Sequence, residues 1–219
     1  MSKTELHKEL EELKKDVLSM ANLAVSMLAD SIKALDKRDV NLANAVKDKD
    51  KKHKIREYDS SIETKALKLI ALYQPMAIDL RRIAAILKMI TYIYRIGRYG
   101  KDIAAVAHEI IERPVGSEIL GIRHMWEHVD SMIKDSLTAF DSEDTINIKD
   151  FIERDSEIDQ MRWSIFRETV SYMMENPNNI TTSAHIIMIA RYLERCADHA
   201  CKIVEKVWYM VKGEHIEIS

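Results

Sequence analysis

The chain has 219 residues, a formal charge of −3, 47% hydrophobic and 32% charged residues. That is enough apolar material for a core in one large domain or in two of about 100 residues each, and the slightly acidic balance gives no electrostatic reason to expect nucleic acid as a partner. Five Gly and three Pro argue against an all-β fold and against long loops. No window approaches 18 uncharged apolar residues, and the start "MSKTELHKEL" lacks a signal-peptide apolar segment. The two cysteines, Cys196 and Cys201, are about 140° apart around a helix. They cannot bridge within it or form a zinc pair on one face, so a reducing cytoplasm is the expected location.

Leu6, Leu10, Leu13, Val17, Met20, Ala24 and Met27 alternate steps of four and three, which places them on one face of a first helix. Asp39, before "VNLANAV", is an N-cap for a second helix, running to "LYQP". Pro75 stops that helix and is expected to open a third. The third has its seam at Ile83, Ile86, Ile90, Ile93, Gly97, Gly100, Ala104, Ala107 and Ile111. "RPVGS" then interrupts the pattern and sets the domain boundary, giving units 1–113 and 114–219. A fourth helix carries Ile122, Trp126, Val129, Ile133 and Phe140. "DSED" turns into a fifth, which reaches "ENPNN", and a sixth runs to Gly213. The expected fold is all-α, with six long helices.

The halves repeat. "SMLADSIKALD" (26–36) matches "SMIKDSLTAFD" (131–141) at a shift of 105. In the last helix of each half the shift is 100, so Ile86, Ile90, Ile93, Gly97, Gly100, Ala104, Ala107 and Ile111 fall on Ile186, Ala190, Leu193, Ala197, Ala200, Val204, Val207 and Val211. Two matches in the same order indicate a tandem three-helix unit, each an antiparallel bundle.

"YLERCADHA" (192–200) sets Glu194 and Asp198 one turn apart beside that seam. In the fifth helix Asp155 and Asp159 are also four apart, among Phe151, Ile152, Ile158 and Ile165. Four carboxylates on two helices could converge on a hard or borderline cation. Equally, such i,i+4 acids are common on solvated helix faces, and Arg154, Arg191 and Arg195 could neutralise them; spacing alone favours this plainer reading. The corresponding residues of the first half are Asp50, Lys54, Tyr94 and Arg98. A cation site cannot survive Lys54 and Arg98 pointing into it, so that half is expected to hold an Asp50–Lys54–Arg98 cluster beside Tyr94.

"YQPMAIDLRR" (73–82), "ERDSEID" (153–159), "YLERCADHA", "VWYMVKGE" (207–214) and the tandem layout resemble the PhoU family over nearly the whole chain. The resemblance implies two three-helix bundles related by a pseudo-two-fold axis, and a metal ion bound by E(D)xxxD motifs: iron or zinc first, with manganese and magnesium as further candidates. Asp155, Asp159, Glu194 and Asp198 match the second-bundle motif, so metal is expected in that bundle only. It also implies a non-enzymatic cytoplasmic regulator that negatively controls phosphate uptake and phosphate-responsive signalling. Its expected partners are a phosphate ABC transporter and a membrane sensor kinase, with membrane contact only through them, and with a homodimer left open.

Other readings are a carboxylate-metal binding or storage protein, a PhoU-like accessory protein of another transporter, and a plain helical scaffold. A ferritin-like di-iron enzyme is excluded because no Glu has His three residues later. His185 lies out of phase with Glu194, and His199 is rotated about 100° from Asp198, the placement of a surface or interhelix histidine. Arg81 and Arg82 of "DLRR" (79–82) could bind phosphate or an acidic partner, though a solvated helix face is the plainer role. The 12 Met sit at scattered helical positions, as core filling does. No nucleophile and base stand at usable spacing, so no catalytic residue is expected.

Overall fold

The computed structural model describes residues 3–50, 53–111, 113, 118–145 and 147–218; among these, every regular element is helical. The helices are α1 (Lys3–Lys37), α2 (Val40–Lys49), α3 (Lys54–Tyr73), α4 (Ile78–Ile110), α5 (Glu118–Ser142), α6 (Ile148–Glu175) and α7 (Ile180–Lys212), with a 3-10 turn at Pro177–Asn179. Thus six are long and one, α2, is short. α1 packs against α2, α3 and α4, and α5, α6 and α7 pack together. The two bundles meet along α4 and α7, and again where α1 touches α5.

The heptad stripe explains α1. Leu6, Leu10, Leu13, Val17, Met20, Ala24 and Met27 are all buried, which is what an apolar face at 3.5-residue spacing achieves when it meets neighbouring helices. α1 is long and apolar enough to cross a membrane by length and composition. Its buried stripe inside the bundle makes it a core helix here.

The expected second helix is two. Asp39 caps α2 as the sequence suggests, its carboxylate accepting from Leu42 N at 3.1 Å. The chain then leaves helical geometry, and His53 adopts a left-handed φ of 59° before α3. Comparing the copies gives the reason. Lys49 and Asp50 correspond to Arg154 and Asp155 at a shift of 105, whereas the buried Ile55, Ile62 and Ala66 correspond to the buried Ile158, Ile165 and Thr169 at 103. The first copy therefore has two extra residues between these points. Kept helical, they would rotate the apolar face of α3 by about 200° away from the core, so the helix breaks instead.

Pro75 does not open α4. Gln74 (φ 47°) and Ala77 (φ 49°) are both non-glycine residues at positive φ, and between them the chain is irregular up to Ile78. The boundary expected at 113/114 abuts residues 114–117, outside the described residues.

The internal repeat extends to single contacts. The buried Ser31 donates to Leu28 O at 2.7 Å, and its counterpart Ser136 donates to Ile133 O at 2.7 Å. Lys49 reaches Asp30 and Ser26 on α1; Arg154 reaches Asp135 (2.8 Å) and Ser131 (3.0 Å) on α5. Arg38 and Glu143, equivalent residues just after α1 and α5, have φ values of 54° and 53°. In α4 and α7 the seam positions read at a shift of 100 are buried in both copies from 86/186 to 107/207.

Candidate functional site

The short "ENPNN" turn, where Asn176 accepts from Asn178 N at 3.0 Å, reverses the chain so that α6 and α7 run antiparallel. As residue numbers rise along α6 they fall along α7: Asp155 faces Cys201, whose thiol donates to Asp155 Oδ1 at 3.5 Å, and Arg162 faces Glu194 (Nε–Oε2 3.3 Å). This register gathers Asp155, Asp159 and Asp198 into one electrostatically coupled group. Glu194 lies one turn further along. It is 7% exposed and takes ion pairs from both Arg162 and Arg191.

Burial pushes the Asp155 carboxyl above its ordinary value, with the Asp198 charge adding to it; the Cys201 contact and Lys202 oppose. Asp198 is likewise pushed up by burial, with Arg195 (3.4 Å away) opposing and Asp159 adding. Glu194 is raised by burial against the pull of Arg191 and Arg162. Carboxylates that lose water near one another favour the proton or a counter-cation. By the same effect, the buried Cys201 thiol is pushed well above its ordinary range by burial and by Asp155, and Cys196 likewise by burial. Neither is a thiolate nucleophile.

Arg154, a neutraliser expected from sequence, serves instead as an interhelix tie to Asp135. The guanidinium that sequence reading missed is Arg162, although its spacing of seven from Asp155 and three from Asp159 already placed it on their face. Cys201 was also legible, one turn beyond Asp198. Arg82 pairs with Glu143 and with Asp79 rather than standing free.

Among the described residues, no three His, Cys, Asp or Glu side chains are gathered closely enough to hold a metal ion. The donors of this group suit a hard cation in kind. Holding one requires Asp155, Asp159 and Asp198 to swing inward, and Glu194 joins only if it leaves its two arginines.

The same place in the first bundle has different chemistry. Asp50 is 4% exposed, and it accepts from Lys101 Nζ (2.8 Å) and Ile55 N (3.2 Å). Lys101 is the counterpart of Cys201, so the Asp50–Lys101 and Asp155–Cys201 contacts are equivalent. Arg98 lies against the Tyr94 hydroxyl, which with Asp102 keeps its guanidinium firmly charged. Lys54, expected in this cluster, is exposed; the two-residue insertion puts Arg56 in its place, in the cavity formed with Asp50 and Arg98.

Where α4 crosses α7, Tyr92 stacks on His199 at 5.7 Å, Tyr99 on Tyr192 at 5.4 Å and Tyr99 on His199 at 5.9 Å. At a shift of 100 the first two contacts map onto each other, and the third maps onto itself. This is the signature of a local two-fold axis through the Tyr99–His199 pair.

Fold and site together define a tandem helical-bundle protein whose two copies carry opposite charge at one equivalent place. The PhoU domain model matches the chain twice, at residues 17–107 and 122–207. The chain is 37% identical over 212 residues to the phosphate-specific transport system accessory protein PhoU homolog of Aquifex aeolicus, covering 97% of this chain and 95% of that protein. It superposes on the crystal structure of PhoU from Pseudomonas aeruginosa with a TM-score of 0.89 at 32% identity, covering 95% and 99% of the two chains. For the phosphate transport system regulatory protein PhoU from Streptococcus pneumoniae the TM-score is 0.87 at 26% identity, covering 97% and 99%. The chain belongs to the PhoU family.

Proposed function

We propose that this protein is a non-enzymatic accessory regulator of phosphate transport. It acts in the cytoplasm by docking helical surfaces onto a phosphate transporter and onto a membrane sensor kinase, restraining phosphate uptake and phosphate-responsive signalling. The observation that carries this reading is the double PhoU match, together with relatives named as accessory proteins of a phosphate-specific transport system that align over nearly their whole length. The site chemistry agrees with a non-catalytic role: burial keeps both thiols protonated, and His199 is occupied in stacking on Tyr92 and Tyr99. The domain boundary is proposed at 113/114, giving units 1–113 and 114–219. Co-purification tests the docking claim: tagged protein should retain the ATP-binding subunit of a phosphate transporter from membranes of phosphate-replete cells, and failure to do so counts against it.

A second reading concerns the acids. The raised carboxyls of Asp155 and Asp198 favour a bound cation in the second bundle, held by Asp155, Asp159 and Asp198, with Glu194 joining on release from Arg162 and Arg191. The cation would supply positive charge that tightens α6 onto α7.

A further inference from the structure

We propose that the first bundle binds a small oxyanion at the place where the second bundle gathers its carboxylates. A cavity of about 260 Å³ opens there between α2, α3 and α4. Each helix sends a cation to it: Lys47 from α2, Arg56 from α3, Arg98 and Lys101 from α4. Two acids also line it. Asp50 is engaged by Lys101 and by the Ile55 amide, and Asp102 sits beside Arg98 and Lys101. Counting the residues that line the cavity, two positive charges remain in excess, although Arg56 also acts on the carboxylate of Asp59 outside it.

The repeat makes this more than a scatter of surface cations. Asp155, Asp159, Asp198 and Cys201 correspond to Asp50, Arg56, Arg98 and Lys101, so three of the four positions are basic in the first bundle, at a place where the two bundles pack alike. Arg98 is positioned by the Tyr94 hydroxyl, and Tyr94 in turn corresponds to Glu194. A concave site with guanidinium groups from two helices and an ammonium from a third matches an anion with oxygens on several sides. Its low-dielectric walls strengthen the attraction relative to a flat surface. The acceptable ligand is a phosphate-like dianion, either free phosphate or the phosphoryl group of a monoester.

Isothermal titration calorimetry of the full chain at low ionic strength tests this, with inorganic phosphate, sulfate and phenyl phosphate as separate titrants. The expected result is saturable binding of at least one of them at one site per chain. That binding should weaken at least tenfold in an Arg56→Ser, Arg98→Leu double variant and stay unchanged in Asp155→Asn, Asp198→Asn. Phosphate binding without phenyl phosphate binding identifies the free ion as the source, and binding of both identifies a phosphoryl group; either supports the site. Both arginines are exposed, so the double variant should keep its circular dichroism spectrum. Absence of binding by all three anions, or full binding by the folded double variant, overturns the proposal and leaves the family-based function untouched.

Discussion

Tyr99 and His199 stack 5.9 Å apart with their rings 11° from parallel, and they occupy the same position in the two copies of the repeat. The internal symmetry is thus broken at its own axis, where one copy has a tyrosine and the other a histidine, which titrates nearer neutral pH. His199 is 7% exposed and its Nε2 has no hydrogen-bond partner. Burial, with Arg95 and Arg195 adding, pulls its pKa down to about 4.

The unfolded chain takes up a proton on this histidine as pH falls through about 6.5, while the folded chain resists until about 4. Stability from this group is complete above pH 6.5 and is lost through the window from 6.5 to 4, by about 2 kcal/mol between pH 7 and pH 5. A His199→Tyr variant, which places at 199 the residue found at position 99, should lose that part of the acid sensitivity. Urea unfolding at pH 7 and pH 5 measures it; equal acid losses in both proteins would contradict the assignment.

The acids of α6 and α7 act in the opposite sense. Asp155 and Asp198 have raised carboxyls, so their charged forms cost stability above the folded pKa. That cost is relieved as pH falls through it towards the ordinary carboxylate value. Asp155→Asn keeps an acceptor for the Cys201 thiol and removes the charge. It should stabilise the cation-free protein at pH 7 by less than about 1 kcal/mol, because the group is partly solvated. A melting temperature lower than wild type in chelator would refute this.

If a cation does bind there, zinc, iron or manganese should raise the melting temperature of the wild type by mass action. An Asp155→Ala, Asp198→Ala variant should show no rise. Asp50→Asn should keep the wild-type response, since Asp50 is spent on Lys101. A response that survives the double substitution places the cation elsewhere.

Gly100 sets the approach of α4 to α1. A Cβ there would lie 2.7 Å from Leu28 N and 2.9 Å from its Cα, backbone atoms that cannot rotate away. At Gly97 a Cβ would meet chiefly the tip of the Ile55 side chain, which can move. Gly100→Ala should therefore cost about 1–3 kcal/mol and Gly97→Ala less. Calorimetric melting that ranks them the other way would show that the α1–α4 spacing is not set by backbone contact.

The α1, α4 and α7 seams were legible because a strict apolar period survives in one sequence, and the repeat because equivalent serines and seam residues persist. The break between α2 and α3 was hidden: two extra residues in "DKKHK" shift the register, and a fixed offset of 105 carried the comparison past them to Lys54 instead of Arg56. The acids were visible as pairs. Their partners depend on the register of α6 against α7, which places Glu194 opposite Arg162 and Asp159 beside Asp198. No spacing within one helix contains that information. The stacking at Tyr99 and His199 lies between bundles and was equally out of reach.

The most direct test of the account is phosphate uptake in cells of the source organism with the gene deleted. A regulator that restrains a phosphate transporter predicts faster uptake of labelled phosphate and expression of phosphate-starvation genes in rich phosphate, both reversed by the wild-type gene. Unchanged uptake and unchanged expression in the deletion strain would contradict the proposed function.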